Sequence, residues 1–179
     1  IDYFIMDLSV VIPLYNESES IEELNKSITN TLTSERISFE IIYIDDGSSD
    51  GSWDIIKRLA NNSDNIKGIS FSKNFGKSQA LNAGFIECHG TYVATLDADL
   101  QDSPEEIPEM INKIKKGNLD LISGWKKKRY DSLVFKKIPS KLFNFVARYT
   151  SGIKIHDFNC GIKVYRSDVI KSIHVYGDM

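Results

Sequence analysis

Cysteine is scarce in this chain. Only Cys88 and Cys160 occur, and they form neither a disulfide framework nor a metal-binding spacing. They fit ordinary buried thiols of a reducing compartment. No charged segment followed by an apolar one opens the chain, so no secretory signal is expected. No apolar run approaches the roughly 20 residues needed to cross a bilayer. Neither Gly-x-Gly-x-x-Gly nor a Walker loop occurs, so neither a dinucleotide site nor a P-loop is indicated. Repeats, low-complexity tracts and clear linkers are also missing. With 41% hydrophobic and 26% charged residues, the composition is globular and argues against disorder. A length of 179 residues suits one domain with a substantial core.

The net charge of −3 is unevenly spread. Eight Lys/Arg and one acid, Asp131, lie between Lys126 and Arg148, which leaves −10 for the remainder. The basic stretch suits an anionic partner. Val134, Ile138, Leu142, Phe145 and Tyr149 recur within it at helical spacing, so an amphipathic helix over Leu133–Tyr149 is expected. Such a helix either lies on an anionic membrane surface, at about 1 kcal/mol per cation, or is a domain helix with a solvated lysine face. Nucleic acid suits an otherwise acidic chain poorly.

Elsewhere β-branched runs alternate with helical periodicity. Strands are expected at Leu8–Leu14, Phe39–Ile44, Ile66–Phe71, Tyr92–Leu96 and Leu119–Ser123. Helices are expected at Glu17–Leu32, Trp53–Leu59 and Gly76–Glu87. Another is expected from Ser103 as N-cap, with Pro104 in its first turn. A last strand is expected at Gly161–Tyr165. This order gives an α/β fold with a mainly parallel sheet flanked by helices.

In such sheets ligands bind outside the carboxyl ends of the strands, and every unusual polar cluster falls at one. Asp97-Ala98-Asp99, with Gln101 behind it, is either a site for a hard divalent cation on a substrate phosphate or a solvated turn before Ser103-Pro104. Asp45-Asp46-Gly47-Ser48 either binds base and ribose or is an Asx-rich turn. Lys73-Asn74-Phe75-Gly76-Lys77 either receives an anion at a helix start or is a capped loop. Asp157, beside His156, either orients or deprotonates an acceptor or is a loop acid. Cys160 has no partners that would make it a nucleophile.

Taken together, these segments resemble family 2 glycosyltransferases of GT-A fold. Within that family the likeness is to the polyprenyl-phosphate sugar transferases. It rests on Ser9-Val-Val-Ile-Pro-Leu-Tyr-Asn-Glu17, Ile44-Asp-Asp-Gly-Ser-Ser-Asp-Gly51, Asn74-Phe-Gly-Lys-Ser-Gln-Ala80, Asp97-Ala-Asp-Leu-Gln101 with Pro104, and Asn159-Cys-Gly-Ile-Lys163 with Arg166. The third and fourth stretches are the more specific to the polyprenyl-phosphate group.

The resemblance implies roles for particular residues. Pro13, Tyr15, Glu17, Asp45, Asp46, Asn74, Lys77 and Asp97 would hold the nucleotide sugar. Asp97, Asp99 and Gln101 would ligate Mg²⁺ or Mn²⁺ on the diphosphate. Asp157 stands where the group places its candidate base and, with Asp99, would serve catalysis. Lys126 and Arg129 stand where the group binds acceptor phosphate, although many relatives carry Arg at position 126 and Lys lacks its bidentate fork.

The function implied is inverting transfer from a donor of UDP-glucose or GDP-mannose type to a polyprenyl phosphate at the cytosolic membrane face. Two alternatives stand beside it: the same fold acting on a polysaccharide or glycan acceptor, and a non-catalytic nucleotide-binding or membrane-surface module. Residues 8–124 would bind the donor and residues 125–179 the acceptor, within one catalytic domain. Met6 reads as a natural start. Bacterial relatives continue into membrane helices past the position of Met179, so such helices are expected in the parent protein, with this portion soluble. A homo-oligomer is left open, and no nucleic-acid partner is expected.

Overall fold

The computed structural model describes residues 6–124 and 161–172. Its centre is strand β1 (Leu8–Leu14), in which all seven residues are buried. That matches a strand covered on both faces, which reads as a continuous apolar run rather than an alternation. Helix α1 (Ile21–Ser34) follows, then β2 (Phe39–Asp45), α2 (Ser52–Asn62) and β3 (Ile66–Ser70). The chain continues through α3 (Lys77–Ile86), β4 (Tyr92–Thr95), α4 (Ile107–Gly117) and β5 (Leu121–Ser123). After residues 125–160 come β6 (Lys163–Arg166) and α5 (Ser167–Ser172).

The sheet order is β3-β2-β1-β4-β6-β5. β1 to β4 run parallel, and β6 pairs antiparallel with both β4 and β5. The expected parallel sheet is therefore present with one reversed strand inserted. Leu8 and Val10 of β1 pair with Tyr92 and Ala94 of β4, so the carboxyl ends of β1, β2 and β4 open on one edge.

Side chains alternate across the sheet with period two. Val10, Ile12 and Leu14 join Ile21, Leu24, Ile28 and Leu32 of α1 and Ile111 and Ile114 of α4 in one apolar layer. Val11 faces the other way, onto Ile42, Ile44, Val93 and Ala80 of α3. Each fully buried Ile or Leu contributes about 1.5–3 kcal/mol. The helical spacing read from the sequence is the face that α1 buries.

Several element boundaries differ from those expected. α1 begins at Ile21, and in the turn before it the N–H groups of Glu17 and Ser18 are held by Ser52 Oγ (3.0 Å) and Asp50 Oδ2 (2.9 Å). Ser103 does not cap the backbone of its helix. Its hydroxyl donates to Glu105, and the chain enters α4 through a 3-10 turn at Pro104–Glu106.

At the amino ends of the strands sits a polar knot that the sequence did not reveal. Glu40, 2% exposed, accepts from Ser9 Oγ (2.7 Å), the His89 N–H (2.8 Å) and Lys67 Nζ (2.9 Å). Ser9 Oγ in turn accepts the Gly90 N–H at 2.9 Å. Burial alone would raise the Glu40 pKa, but the hydrogen bonds from Lys67, Ser9 and His89 outweigh it and hold it below its ordinary value. Glu40→Ala leaves these donors without their shared acceptor. A loss of about 2 kcal/mol in denaturant unfolding is expected, far from any effect on the opposite edge.

Candidate active site

The carboxyl ends of the strands enclose a cleft of about 370 Å³. β1 supplies Pro13 and Leu14, and the turn after it Tyr15 and Glu17. The turn after β2 supplies Asp46, and the loop into α3 supplies Asn74, Gly76 and Lys77. Asp97, Ala98 and Asp99 come from the segment after β4. Clusters far apart in sequence therefore meet at one place because each ends a strand of the same sheet.

The turns after β1 and β2 are knitted together. Asn16 is left-handed (φ 56°). Its N–H donates to Ser48 Oγ at 2.8 Å, and its Oδ1 accepts the Ser49 N–H at 2.8 Å. Asp50 adds the bond from the Ser18 N–H and accepts the Ser52 hydroxyl at 2.6 Å. Desolvation would raise the Asp50 pKa, but the bonds from Ser52 and Ser18 prevail and hold it well below the carboxylate range. A lowered folded pKa gives stability that is present above the unfolded value near 3.8 and lost as pH falls further. Acid titration followed by circular dichroism is expected to show a steeper stability loss below about pH 4 in wild type than in Asp50→Asn.

Asp45 and Asp46 are adjacent but do different things. Asp45 is 1% exposed and does not line the cleft. It accepts the Ser48 N–H at 3.0 Å, an Asx-turn, and the Ser70 hydroxyl at 3.2 Å. Asp46 lines the cleft, and its two oxygens accept the N–H groups of Phe75 (2.7 Å) and Gly76 (2.9 Å). Two amide donors that an incoming anion could have used at the start of α3 are thus taken by Asp46. Of the two lysines in this stretch, Lys77 lines the cleft and pairs with Asp97.

Asp97 and Asp99 emerge where β4 ends. Leu100 is left-handed (φ 59°), a conformation bulky residues seldom adopt. It turns the chain so that the Gln101 N–H donates to Asp99 Oδ1 at 3.1 Å. Gln101 is exposed and lies outside the lining of the cleft. Gly161 is pressed against this turn. A Cβ there would sit 2.3 Å from Asp102 Oδ2 and 2.6 Å from Asp97 Oδ2, and the Gly161 carbonyl accepts the Thr95 hydroxyl at 3.2 Å. The seating of Gly161 on the acids was not foreseen, although its motif was a visible signal.

The donor set suits a hard cation. Among the described residues no group of three or more His, Cys, Asp or Glu could hold a metal by itself. The two carboxylates, Asp97 and Asp99, are the oxygen ligands that Mg²⁺ or Mn²⁺ takes, with the rest of the shell commonly completed by water and substrate phosphate.

With this geometry in view, comparison with known proteins is informative. The profile described as glycosyl transferase family 2 matches residues 9–173. The chain belongs to that family. A dodecaprenyl-phosphate galacturonate synthase of Rhizobium johnstonii is 34% identical over 97% of this chain and 52% of its own length. An undecaprenyl-phosphate 4-deoxy-4-formamido-L-arabinose transferase of Salmonella choleraesuis is 39% identical over 94% of this chain and 51% of its own. The chain thus spans about half the length of the curated relatives it matches.

Among solved structures, glucosyl-3-phosphoglycerate synthase of Mycobacterium tuberculosis, in complex with Mn²⁺, UDP and phosphoglyceric acid, superposes with a TM-score of 0.73. It is 19% identical over 94% of this chain and 58% of its own. A mannosyltransferase of Pyrobaculum calidifontis in complex with GDP-Man and Mn²⁺ gives 0.69, at 19% identity over 98% of this chain and 48% of its own. These likenesses establish the GT-A fold for this family 2 chain.

Of the expected site residues, Pro13, Tyr15, Glu17, Asp46, Asn74, Lys77, Asp97 and Asp99 line one cleft. Lys126, Arg129, His156, Asp157, Cys160 and the helix expected over Leu133–Tyr149 lie outside the described residues. No helix among the described residues is long and apolar enough to cross a membrane.

Proposed function

We propose that the chain is the catalytic portion of an inverting glycosyltransferase that moves a sugar from a nucleoside-diphosphate donor to a polyprenyl phosphate at the cytosolic membrane face. The observation that carries this is the meeting of Asp97, Asp99 and Lys77 with Glu17 and Asp46 in one cleft at the strand ends. Family membership supports transferase chemistry. The names of the relatives, both polyprenyl-phosphate enzymes, support the acceptor class.

The chemistry follows from the charges. An acceptor phosphate oxygen attacks the anomeric carbon as the bond from that carbon to the diphosphate oxygen breaks, which inverts the centre. The acceptor oxygen is already anionic near neutral pH, its second pKa being about 6, so little deprotonation is required. Asp157 accordingly orients the acceptor or excludes water, and Lys126 and Arg129 receive the acceptor phosphate. Glu17 and Asp46 edge the pocket that takes base and ribose, and Lys77 faces the diphosphate. A divalent ion held by Asp97 and Asp99, with Gln101 nearby, would neutralise the charge developing on the leaving diphosphate. In this account the basic segment Lys126–Arg148 brings the domain to an anionic bilayer.

A thermal-shift panel of UDP- and GDP-sugars with Mn²⁺ tests the donor. A ligand at 100 times its Kd adds about 2.7 kcal/mol, which at roughly 2–4 °C per kcal/mol raises the midpoint by about 5–10 °C. Transfer of the selected sugar is then measured onto polyprenyl phosphate in detergent and onto glycan acceptors. Label appearing only on glycan would exclude the lipid acceptor. Asp157→Asn is expected to lower turnover; unchanged turnover across pH would remove it from catalysis.

A further inference from the structure

Among the described residues, the lining of the cleft contains one cation, Lys77, against the acids Glu17, Asp46, Asp97 and Asp99. Asp46 is committed to two backbone N–H groups. Among the described residues Lys77 is therefore the cation set against these acids, and it pairs with Asp97 Oδ1. That oxygen belongs to a residue expected to meet the divalent ion. One carboxylate is thus claimed by two cations.

The two ends of Lys77 are held very differently. Its backbone opens α3, beside Gly76, whose N–H is fixed to Asp46. The side chain is 56% exposed, while that of Asp97 is 29% exposed. The Lys77 ammonium stands on a flexible, exposed stem that can swing, whereas Asp97 is short and the less exposed of the two. Gly161 sits against the far oxygen of Asp97 and further restricts its movement.

We propose that Lys77 is a two-position residue that couples donor binding to metal binding, an inference that rests on the functional assignment above. In the donor-free cleft it occupies Asp97. When the diphosphate enters, the ammonium transfers to the more highly charged phosphate oxygens and leaves Asp97 to the divalent ion. Metal alone binds weakly because it must displace Lys77, and donor and metal bind together because each favours the same position of one side chain. By linkage the coupling is reciprocal. Lys77 positions the site by vacating Asp97 and takes no part in the bond exchange.

The test is Mn²⁺ binding followed by electron paramagnetic resonance, with and without UDP or GDP, for wild type, Lys77→Met and Lys77→Arg. It needs no turnover. Exposed ion pairs contribute up to about 1 kcal/mol. Lys77→Met is therefore expected to tighten Mn²⁺ binding in the absence of nucleotide by about two- to fivefold. It is also expected to weaken nucleotide binding in chelator and to shrink the factor by which nucleotide tightens Mn²⁺. Lys77→Arg retains the pair and is expected to restore the wild-type factor. Equal or weaker Mn²⁺ binding by Lys77→Met, in a protein whose wild type binds Mn²⁺ with nucleotide, overturns the coupling role and leaves the functional assignment standing. Wild type that binds no Mn²⁺ even with either nucleotide overturns the assignment itself.

Discussion

Replacing Gly161 with alanine is expected to lower sugar transfer about 100-fold, the scale of loss when reacting groups are displaced by about 1 Å. The added Cβ would lie 2.3 Å from Asp102 Oδ2 and 2.6 Å from Asp97 Oδ2. Neither carboxylate is the end of a long flexible side chain, and Asp102 is buried. One of the two must move, and either movement shifts the turn carrying Asp97 and Asp99. Overpacking of this kind costs about 1–3 kcal/mol, so the protein is expected to stay folded while the site loses its geometry. Kinetics beside a thermal midpoint separate the two effects. Full turnover in Gly161→Ala would show that the spacing between Gly161 and Asp97 does not matter to the chemistry.

The second large effect is on stability. Gly47 has φ +75°, and a Cβ there would lie 2.4 Å from the carbonyl carbon of Lys73 and 2.8 Å from the Asn74 nitrogen. Those are backbone atoms, which cannot rotate away. Left-handed backbone costs a residue with a Cβ about 1–2 kcal/mol, and the clash adds about 1–3 kcal/mol. Gly47→Ala is expected to lower the midpoint by roughly 10 °C and to weaken nucleotide binding, because Asp46 would lose its grip on Phe75 and Gly76. A Gly47→Ala midpoint within about 2 °C of wild type, less than the backbone cost alone at 2–4 °C per kcal/mol, would mean the two loops are not packed as described.

These two glycines mark where sequence reasoning stopped. The strand–helix order was legible because β-branched runs such as Leu8–Leu14 end abruptly at polar clusters, and because the apolar positions of α1 keep helical spacing. The site was legible through one rule, that open sheets gather ligands at strand ends. What could not be read was pairing across long separations. A four-residue strand such as β6 carries no sign of its direction, so its antiparallel insertion between β4 and β5 left no trace in the sequence. Nothing in the sequence marks Glu40 for burial, because the partners that make it tolerable, Ser9, Lys67 and His89, are scattered over three other segments. Asp45 and Asp46 were indistinguishable as neighbours, and both are buried, yet Asp45 binds Ser48 and Ser70 while Asp46 binds the loop before α3.

The strand-end rule picked out which polar residues gather there, and the family resemblance implied a role for each. The structure adds how they are restrained: Asp46 by two N–H groups, Lys77 by Asp97, and Asp97 by Gly161. These restraints tie together segments that are far apart in sequence. They also account for the strong dependence expected at positions that touch no substrate.

Calorimetric titration of UDP and GDP in Mn²⁺ and in EDTA, on wild type and Asp99→Asn, tests the central claim most directly. Nucleotide binding in wild type that is at least tenfold tighter in Mn²⁺ than in EDTA, and is lost or weakened at least tenfold in Asp99→Asn, is the predicted result. Binding of equal strength in EDTA, or unchanged by Asp99→Asn, would contradict the assignment of the Asp97–Asp99 turn as the cation-assisted diphosphate site.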